Sequence, residues 1–312
     1  MYRIDRDPRA AGEVIKQNSL TFPTGEVLEY LTFPALEETG LVRHLVTTRT
    51  GGVSRGEFAS MNLSFTRGDS EEDVRENYRR IGGLLGCPPE AMVASYQTHT
   101  TNIRLVTRED AGKGVTRQRD YRDVDGLVTN VPGLALVTFY ADCVPLLFVD
   151  TAHGAIGAAH SGWRGTVGRM GACMIKAMGE SFGTRPEDLK AAIGPSICQS
   201  CYEVSEEVAG RFAALDRETE SLRGQILESG IYRKSVYGGE PKVVEPGRQP
   251  GKYQLDLWLA NLLILLQAGI LLEQISVTDI CTCHNASYLF SHRVNGDRRG
   301  NLAAFLMLDA QL

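Results

Sequence analysis

Three residues far apart in the chain carry side chains that bind metals or act as nucleophiles: His99 in "SYQTHT", Cys143 in "ADCVP" and His160 in "AAHSGWRG". Each lies at the end of an apolar, strand-like run, so strand ends gathered on one sheet edge would bring them together. Two imidazoles and one thiolate make a three-ligand set suited to zinc, with the fourth position left for water or substrate. Such a metal lowers the pKa of bound water to about 7 and supplies a nucleophile at neutral pH. The gaps, 44 residues from 99 to 143 and 17 from 143 to 160, match no compact finger motif. Taken singly, a buried cysteine is a small hydrophobe and a strand-end histidine is merely hydrogen-bonded. Asp142 is a candidate to support the neighbouring ligand or to move a proton, and equally a turn-forming residue.

Other groups compete with this trio. "CQSC" (Cys198 to Cys201) has redox spacing, but no thioredoxin-like unit surrounds it, and it reads as free thiols. "CTCH" (Cys281 to His284) could ligate a metal but leaves two ligands unfound. His44, His153 and His292 have no evident partner. Arg49 in "TRTGG", Arg164 in "GWRG" and Arg293 in "HRVNGDRRG" sit beside glycine turns, where a guanidinium grips phosphate bidentately or simply ties the turn. A Cys143–His160 pair also fits a thiol hydrolase. A non-catalytic protein with a structural zinc is the third reading, although a structural site wants a fourth protein ligand.

These residues must be positioned by strands and helices that alternate irregularly. "VRHLVTTR", "AMVASYQTH", "GLVTN", "LALVTFYADC", "GAIGAAH", "LKAAIGPSI" and "QISVTDICT" read as strands. "SEEDVRENYRRIGGLLG" reads as a helix capped by Ser70, with Val74, Tyr78, Ile81 and Leu85 as its buried stripe. "TVGRMGACMIKAMGESFG" reads as a second helix, ended at Gly183. "LDLWLANLLILLQAGILLEQI" approaches a membrane span in length but contains Asp256, Asn261, Gln267 and Glu273. It reads instead as a buried helix capped by Asp256 and ended near Gly269. The stretch 229–252 is polar and Gly/Pro-rich, a long loop.

Composition excludes several classes. The net charge of −5 and the lack of any dense Lys/Arg block argue against a nucleic-acid surface. A 43% hydrophobic content with 23% charged residues is that of a globular core-forming chain, with no membrane partner expected. The polar start and seven scattered cysteines fit reduced thiols in a cytoplasm. Six histidines without a His-x-His pair are too few for the imidazole-rich clusters of a multicopper oxidase.

In combination, "TTRTGGVSRGEFASMNL", "SYQTHT", "DGLVTN", "ADCVPLLFVD", "AAHSGWRGT", "AAIGPSICQSCYEV", "LDLWLAN" and "FSHRVNGDRRG" resemble the bacterial laccase-domain (YfiH-like) family, over roughly Phe33 to Leu308. The resemblance implies an α+β fold, with mixed β-sheets flanked by helices in a single domain over 1–312. The segment 1–32 would vary and 229–252 would be a long polar loop. It implies that His99, Cys143 and His160 bind Zn2+, with Cu2+ entering on loading. It also implies phosphorolysis of adenosine- and inosine-type nucleosides, extending to methylthioadenosine, and deamination of adenosine. Purine nucleoside and phosphate would then be the partners, and a homodimer is compatible with it; the glycine-turn arginines Arg49, Arg164 and Arg293 are the residues expected to hold the phosphate. Family members have also been called polyphenol oxidases, so a copper-loaded oxidoreductase is the alternative activity. The family's last motif usually closes with Thr-Gly-Arg, whereas "RRGN" puts Arg299 and Asn301 at those places, leaving Arg293 or Arg298 to substitute for the lost arginine.

Overall fold

Alternating and continuous apolar runs condense into strands, and the chain order of those strands decides which loops meet. The computed structural model describes residues 14–231, 240–278 and 280–310. It contains β1 (Lys16–Thr21), β2 (Val27–Thr32), β3 (Val42–Thr47), β4 (Met92–Ala94), β5 (Ile103–Leu105), β6 (Gly126–Thr129), β7 (Ala135–Tyr140), β8 (Val144–Asp150) and β9 (Ala155–Ser161). Then follow β10 (Leu189–Ile193), β11 (Glu203–Ser205), β12 (Val244–Pro246), β13 (Lys252–Leu255), β14 (Ile275–Val277) and β15 (Leu302–Leu308). One six-stranded sheet runs β1-β2-β3-β15-β7-β4, a second runs β14-β10-β8-β9-β6-β5, and β11-β13-β12 form a small third sheet. Parallel pairs (β4 with β7, β5 with β6, β10 with β14) stand among antiparallel ones, so the large sheets are mixed.

The two large sheets pack face to face. Val46, Val93, Leu136 and Leu306 of the first meet Leu127, Leu147, Val149 and Ile156 of the second in one buried cluster. The outer face of the first sheet is covered by the helix Glu71–Leu85 through Val74, Tyr78, Ile81 and Leu85, the stripe expected from the sequence. Ser70 caps that helix and Gly86, at φ 71°, ends it. The outer face of the second sheet is covered by the helices Met170–Phe182 and Leu257–Gln267. Helix, sheet, sheet and helix thus make an α+β single domain.

The near-membrane stretch is accounted for by this burial. Leu257–Gln267 buries residues all round, and Asp256 caps it by accepting from Leu259 N at 3.0 Å. Its one interior amide, Asn261, accepts from Ser161 Oγ at 3.0 Å and donates to Thr166 Oγ1 at 3.2 Å, so its polarity is used against the strand end beside His160. Among the described residues no helix is long and apolar enough to cross a membrane.

Three local expectations change. The helix expected after "SGWRG" is broken into Trp163–Val167 and Met170–Phe182, because Gly168 passes so close to Thr101 that a Cβ would lie 2.7 Å from its Cγ2, and Arg169 turns left-handed at φ 58°. The polar stretch 229–252 contains β12, held by the burial of Val243 and Glu245; its residues 232–239 lie outside the described residues. Of the segment expected to vary, residues 1–13 lie outside the described residues, whereas β1 and β2 pair as a hairpin that extends the first sheet.

The Asp256 cap yields a test. Asp256→Ala removes the acceptor for a buried amide and should cost about 1–2 kcal/mol. A urea midpoint unchanged from wild type would show that the cap contributes nothing.

Candidate metal centre

Register brings Cys143 to His160. In the β8–β9 pair, Pro145 lies opposite His160 and Val144 opposite Ser161. Cys143 precedes β8 and shares the face of Pro145, two residues on, so its sulfur is carried to the imidazole side. The chain reaches Cys143 from β7, in the other sheet, and the turn Ala141–Cys143 makes that crossing.

His99 arrives differently. It lies well past the end of β4, in the loop to β5, with φ 66°. A left-handed non-glycine residue is costly and needs an external hold. That hold is Asp125, a residue the sequence reading did not single out. Its carboxylate accepts from Thr98 N at 3.0 Å, His99 N at 3.1 Å, Thr100 N at 3.0 Å and Thr100 Oγ1 at 3.0 Å. It also meets His160 Nδ1 at 2.8 Å, while its own carbonyl accepts from His160 N at 2.8 Å. The only signal in the sequence was an acidic residue directly ahead of a strand, in "DGLVTN".

The donor atoms of His99, Cys143 and His160 all lie within 4.8 Å of one another. The imidazoles stand edge to face, centroids 5.0 Å apart. With Nδ1 of His160 turned to Asp125, Nε2 is the nitrogen left for a metal. Gly162 completes the cradle: a Cβ there would fall 2.9 Å from Cys143 Sγ and 3.0 Å from His99 Cδ2. A donor set of two ring nitrogens and one sulfur, with a carboxylate-oriented imidazole, fits a zinc or copper ion with one position open.

Electrostatics follow from this packing. Burial would raise the Cys143 thiol, but the His160 charge and hydrogen bonds from both imidazoles bring it down to about 6. Burial would lower His160, but the Cys143 thiolate and Asp125 raise it to about 9. Burial likewise opposes ionisation of Asp125, and hydrogen bonds with the attraction of His160 hold it below the usual carboxylate range.

The site opens into a cavity of about 1510 Å³. Asp142 is at its edge with φ 85° and both carboxylate oxygens engaged, Oδ1 by Thr282 Oγ1 and Oδ2 by Arg293 N, each at 2.6 Å. Its carbonyl accepts from Ile197 N. That arrangement fixes the turn before Cys143 from two sides. Arg293 lines the cavity, its guanidinium over the Tyr202 ring and shared with the Glu203 carbonyl. Arg299 also lines it, is buried, and has its Nε without a hydrogen-bond partner among the described residues.

Arg49 and Arg164 do not line this cavity. Arg49 spends Nε and Nη1 on the carbonyls of Ala59 and Ala286 and packs over Phe290, as turn-tying arginines do. Arg164 is exposed over the ring of Trp163. The partners missing from the sequence for the other histidines also appear: His44 is buried and accepts from Phe33 N, His153 faces Asp150, and His292 Nδ1 meets the Gly296 carbonyl.

A mixed α+β domain whose two-imidazole, one-thiolate cradle takes Cys143 and His160 from strand ends of the second sheet and His99 from the β4–β5 loop defines the class. Residues 43–309 match the family described as multi-copper polyphenol oxidoreductase laccase, and the chain belongs to it. Purine nucleoside phosphorylase YlmD of Bacillus subtilis is 34% identical over 264 residues, 83% of this chain and 86% of the relative. Adenosine deaminase RL5, from an unknown prokaryotic organism, is 28% identical over 250 residues, 80% of this chain and 87% of the relative. The crystal structure of Bacillus licheniformis YfiH superposes with a TM-score of 0.79 at 30% identity, covering 90% of this chain and 96% of the other.

Two predictions come from the cradle. Asp125→Asn keeps the shape but loses the charge that orients His160, and metal affinity should fall about 10–100-fold. Competition with a chromophoric chelator measures it, and an unchanged affinity would remove Asp125 from the design. The second concerns protons. Between about 6 and 9 the metal-free pair is thiolate and imidazolium, so metal uptake must expel the His160 proton. Below about 6 the Cys143 proton must leave as well. Affinity should therefore fall about tenfold for each unit by which the pH is lowered from about 9 to about 6, and more steeply below that. Calorimetry in buffers of different ionisation enthalpy reads the protons released, and proton-neutral uptake at neutral pH would contradict the paired charge state.

Proposed function

We propose that the protein is a zinc-dependent purine nucleoside phosphorylase that also deaminates adenosine at the same site. The observation carrying this reading is the Asp125-oriented His99–Cys143–His160 cradle opening into a cavity with guanidinium groups in its wall. The names of the relatives, a purine nucleoside phosphorylase and an adenosine deaminase, supply the substrate class.

When bound, zinc supplies Lewis acidity and lowers the pKa of coordinated water. The chain's own residues do the rest. The Asp125 carboxylate accepts a hydrogen bond from His160 Nδ1 and so leaves Nε2 as the nitrogen that would hold the metal. Asp142 acts as a positioning residue: it holds the turn that presents Cys143, each of its carboxylate oxygens taking one hydrogen bond. Phe139, Trp163 and Tyr202 offer aromatic faces for a purine. Arg293 and Arg299, rather than Arg49 and Arg164, grip phosphate. Arg299 is the stronger of the two, because its guanidinium is buried in the cavity wall, where water competes least with an anion.

A second reading has one specific observation in its favour. Cys143, His160 and Asp125 stand in the order thiolate, imidazole, carboxylate, as in a thiol hydrolase. Against it, a second imidazole, His99, also faces the sulfur.

The test uses one preparation. Inosine phosphorolysis and adenosine deamination should both vanish on chelation and return with zinc, and Cys143 should resist iodoacetamide until the metal is removed. Full activity without metal, together with fast alkylation of Cys143, would establish the thiol hydrolase instead. Arg299→Lys keeps the charge but loses the fork, and should raise the phosphate KM about 10-fold or more while deamination changes less. Equal losses in both reactions would take phosphate binding away from Arg299.

A further inference from the structure

The two cysteine motifs that looked incomplete in the sequence complete each other. Sγ of Cys198, Cys201 and Cys281 and a ring nitrogen of His284 lie within 4.8 Å of one another, a four-donor cluster outside the cradle of His99, Cys143 and His160. We infer that these four residues form a second metal site, a closed structural zinc site of three thiolates and one imidazole.

The local geometry is that of two knuckles. Gln199–Cys201 is a 3-10 turn in which Cys201 N donates to the Cys198 carbonyl at 3.1 Å. Residues three apart eclipse on such a turn, so both sulfurs face one way. The second knuckle spans the same number of residues, with His284 N directed to Cys281 Sγ at 3.5 Å. Cys198 N, from the first knuckle, also points to Cys281 Sγ, at 3.3 Å. Backbone amides aimed at a sulfur stabilise it as a thiolate, the form that binds metal. Cys198 Sγ and His284 Nδ1 are 3.8 Å apart. The knuckles are pinned independently of any ion: Ser196 and Cys281 form a parallel bridge, and Thr282 N donates to the Ser196 carbonyl at 3.0 Å.

The donor set decides the metal and the role. Four protein ligands, three of them soft thiolates, describe a structural zinc site with no position left for substrate. Cys198 and Cys281 are buried, while Cys201 and His284 line a separate cavity of about 460 Å³ that gives the ion a route in.

Both knuckles lead to Asp142. The first belongs to the loop after β10, which carries Ile197, donating to the Asp142 carbonyl, and Tyr202 in the wall of the large cavity. The second carries Thr282, on Asp142 Oδ1, and runs toward Arg293, on Oδ2. A metal joining them fastens three of the contacts that fix the turn before Cys143. The site acts on catalysis through that turn and touches no substrate.

The experiment is metal counting by native mass spectrometry and elemental analysis on protein made with zinc under reducing conditions. Wild type should hold about two zinc ions per chain, His99→Ala about one, Cys201→Ser about one, and the double variant none. Zinc retained in full by His99→Ala but lost in Cys201→Ser would count against the first site and leave this one standing. A metal content in His99→Ala near zero overturns the proposal, as does a Cys198–Cys201 disulfide in wild type under these conditions. Because Cys201→Ser could fold poorly, folded His99→Ala loaded with cobalt(II) supplies a second readout. A strong thiolate-to-cobalt charge-transfer band with a tetrahedral pattern is expected, and its absence also overturns the site.

Discussion

The Asp125 carboxylate is the interaction on which the candidate centre depends. It is fully buried, which by itself would favour the neutral acid, yet four donors from the β4–β5 loop and the imidazole of His160 keep it ionised. One anion therefore does two jobs. It wraps the backbone of Thr98–Thr100 into a shape that holds His99 at a positive φ, and it selects the tautomer of His160. Removing the charge would release both ligands together, because the three amides of that loop converge on this one carboxylate.

The third ligand depends on a different constraint. Cys143 sits in a crossing between sheets, where neither ladder fixes the backbone. Asp142 supplies the missing order by receiving the Thr282 hydroxyl from the loop after β14, the Arg293 amide from the short helix His292–Asn295 and, at its carbonyl, an amide from the loop that follows β10. The strain of a left-handed Asp is thus held by contacts distant in sequence. Asp125 organises the imidazoles and Asp142 the sulfur, and the two sets of contacts share no residue.

Periodicity made legible what depends on neighbours in sequence. The stripe Val74, Tyr78, Ile81 and Leu85, the Asp256 cap and the strand that carries His160 next to its end all appear where the pattern puts them. What stayed hidden is long-range. Asp125 looks like any acid before a strand until three amides from the preceding loop turn onto it. "CQSC" and "CTCH" each lacked ligands because the partner knuckle lies some eighty residues away. The glycine turn beside Arg49 suggested an anion site, but a guanidinium serves backbone carbonyls as readily as phosphate, and only the fold tells the two uses apart.

The family name carries the word copper, and donor arithmetic limits what that word can mean here. Six histidines are available to one chain. His44, His153 and His292 are held by Phe33 N, Asp150 and the Gly296 carbonyl. The other three are divided between two clusters, His99 and His160 in one and His284 in the other. Neither cluster has the imidazoles to bridge several copper ions, so a multinuclear oxidase centre is beyond a single chain. Each could take one copper, since thiolate and imidazole suit it and copper outcompetes zinc at nearly any such set. Copper in a purified sample would therefore report which metal the protein met. It would not report which chemistry the Asp125-oriented cradle is built to support.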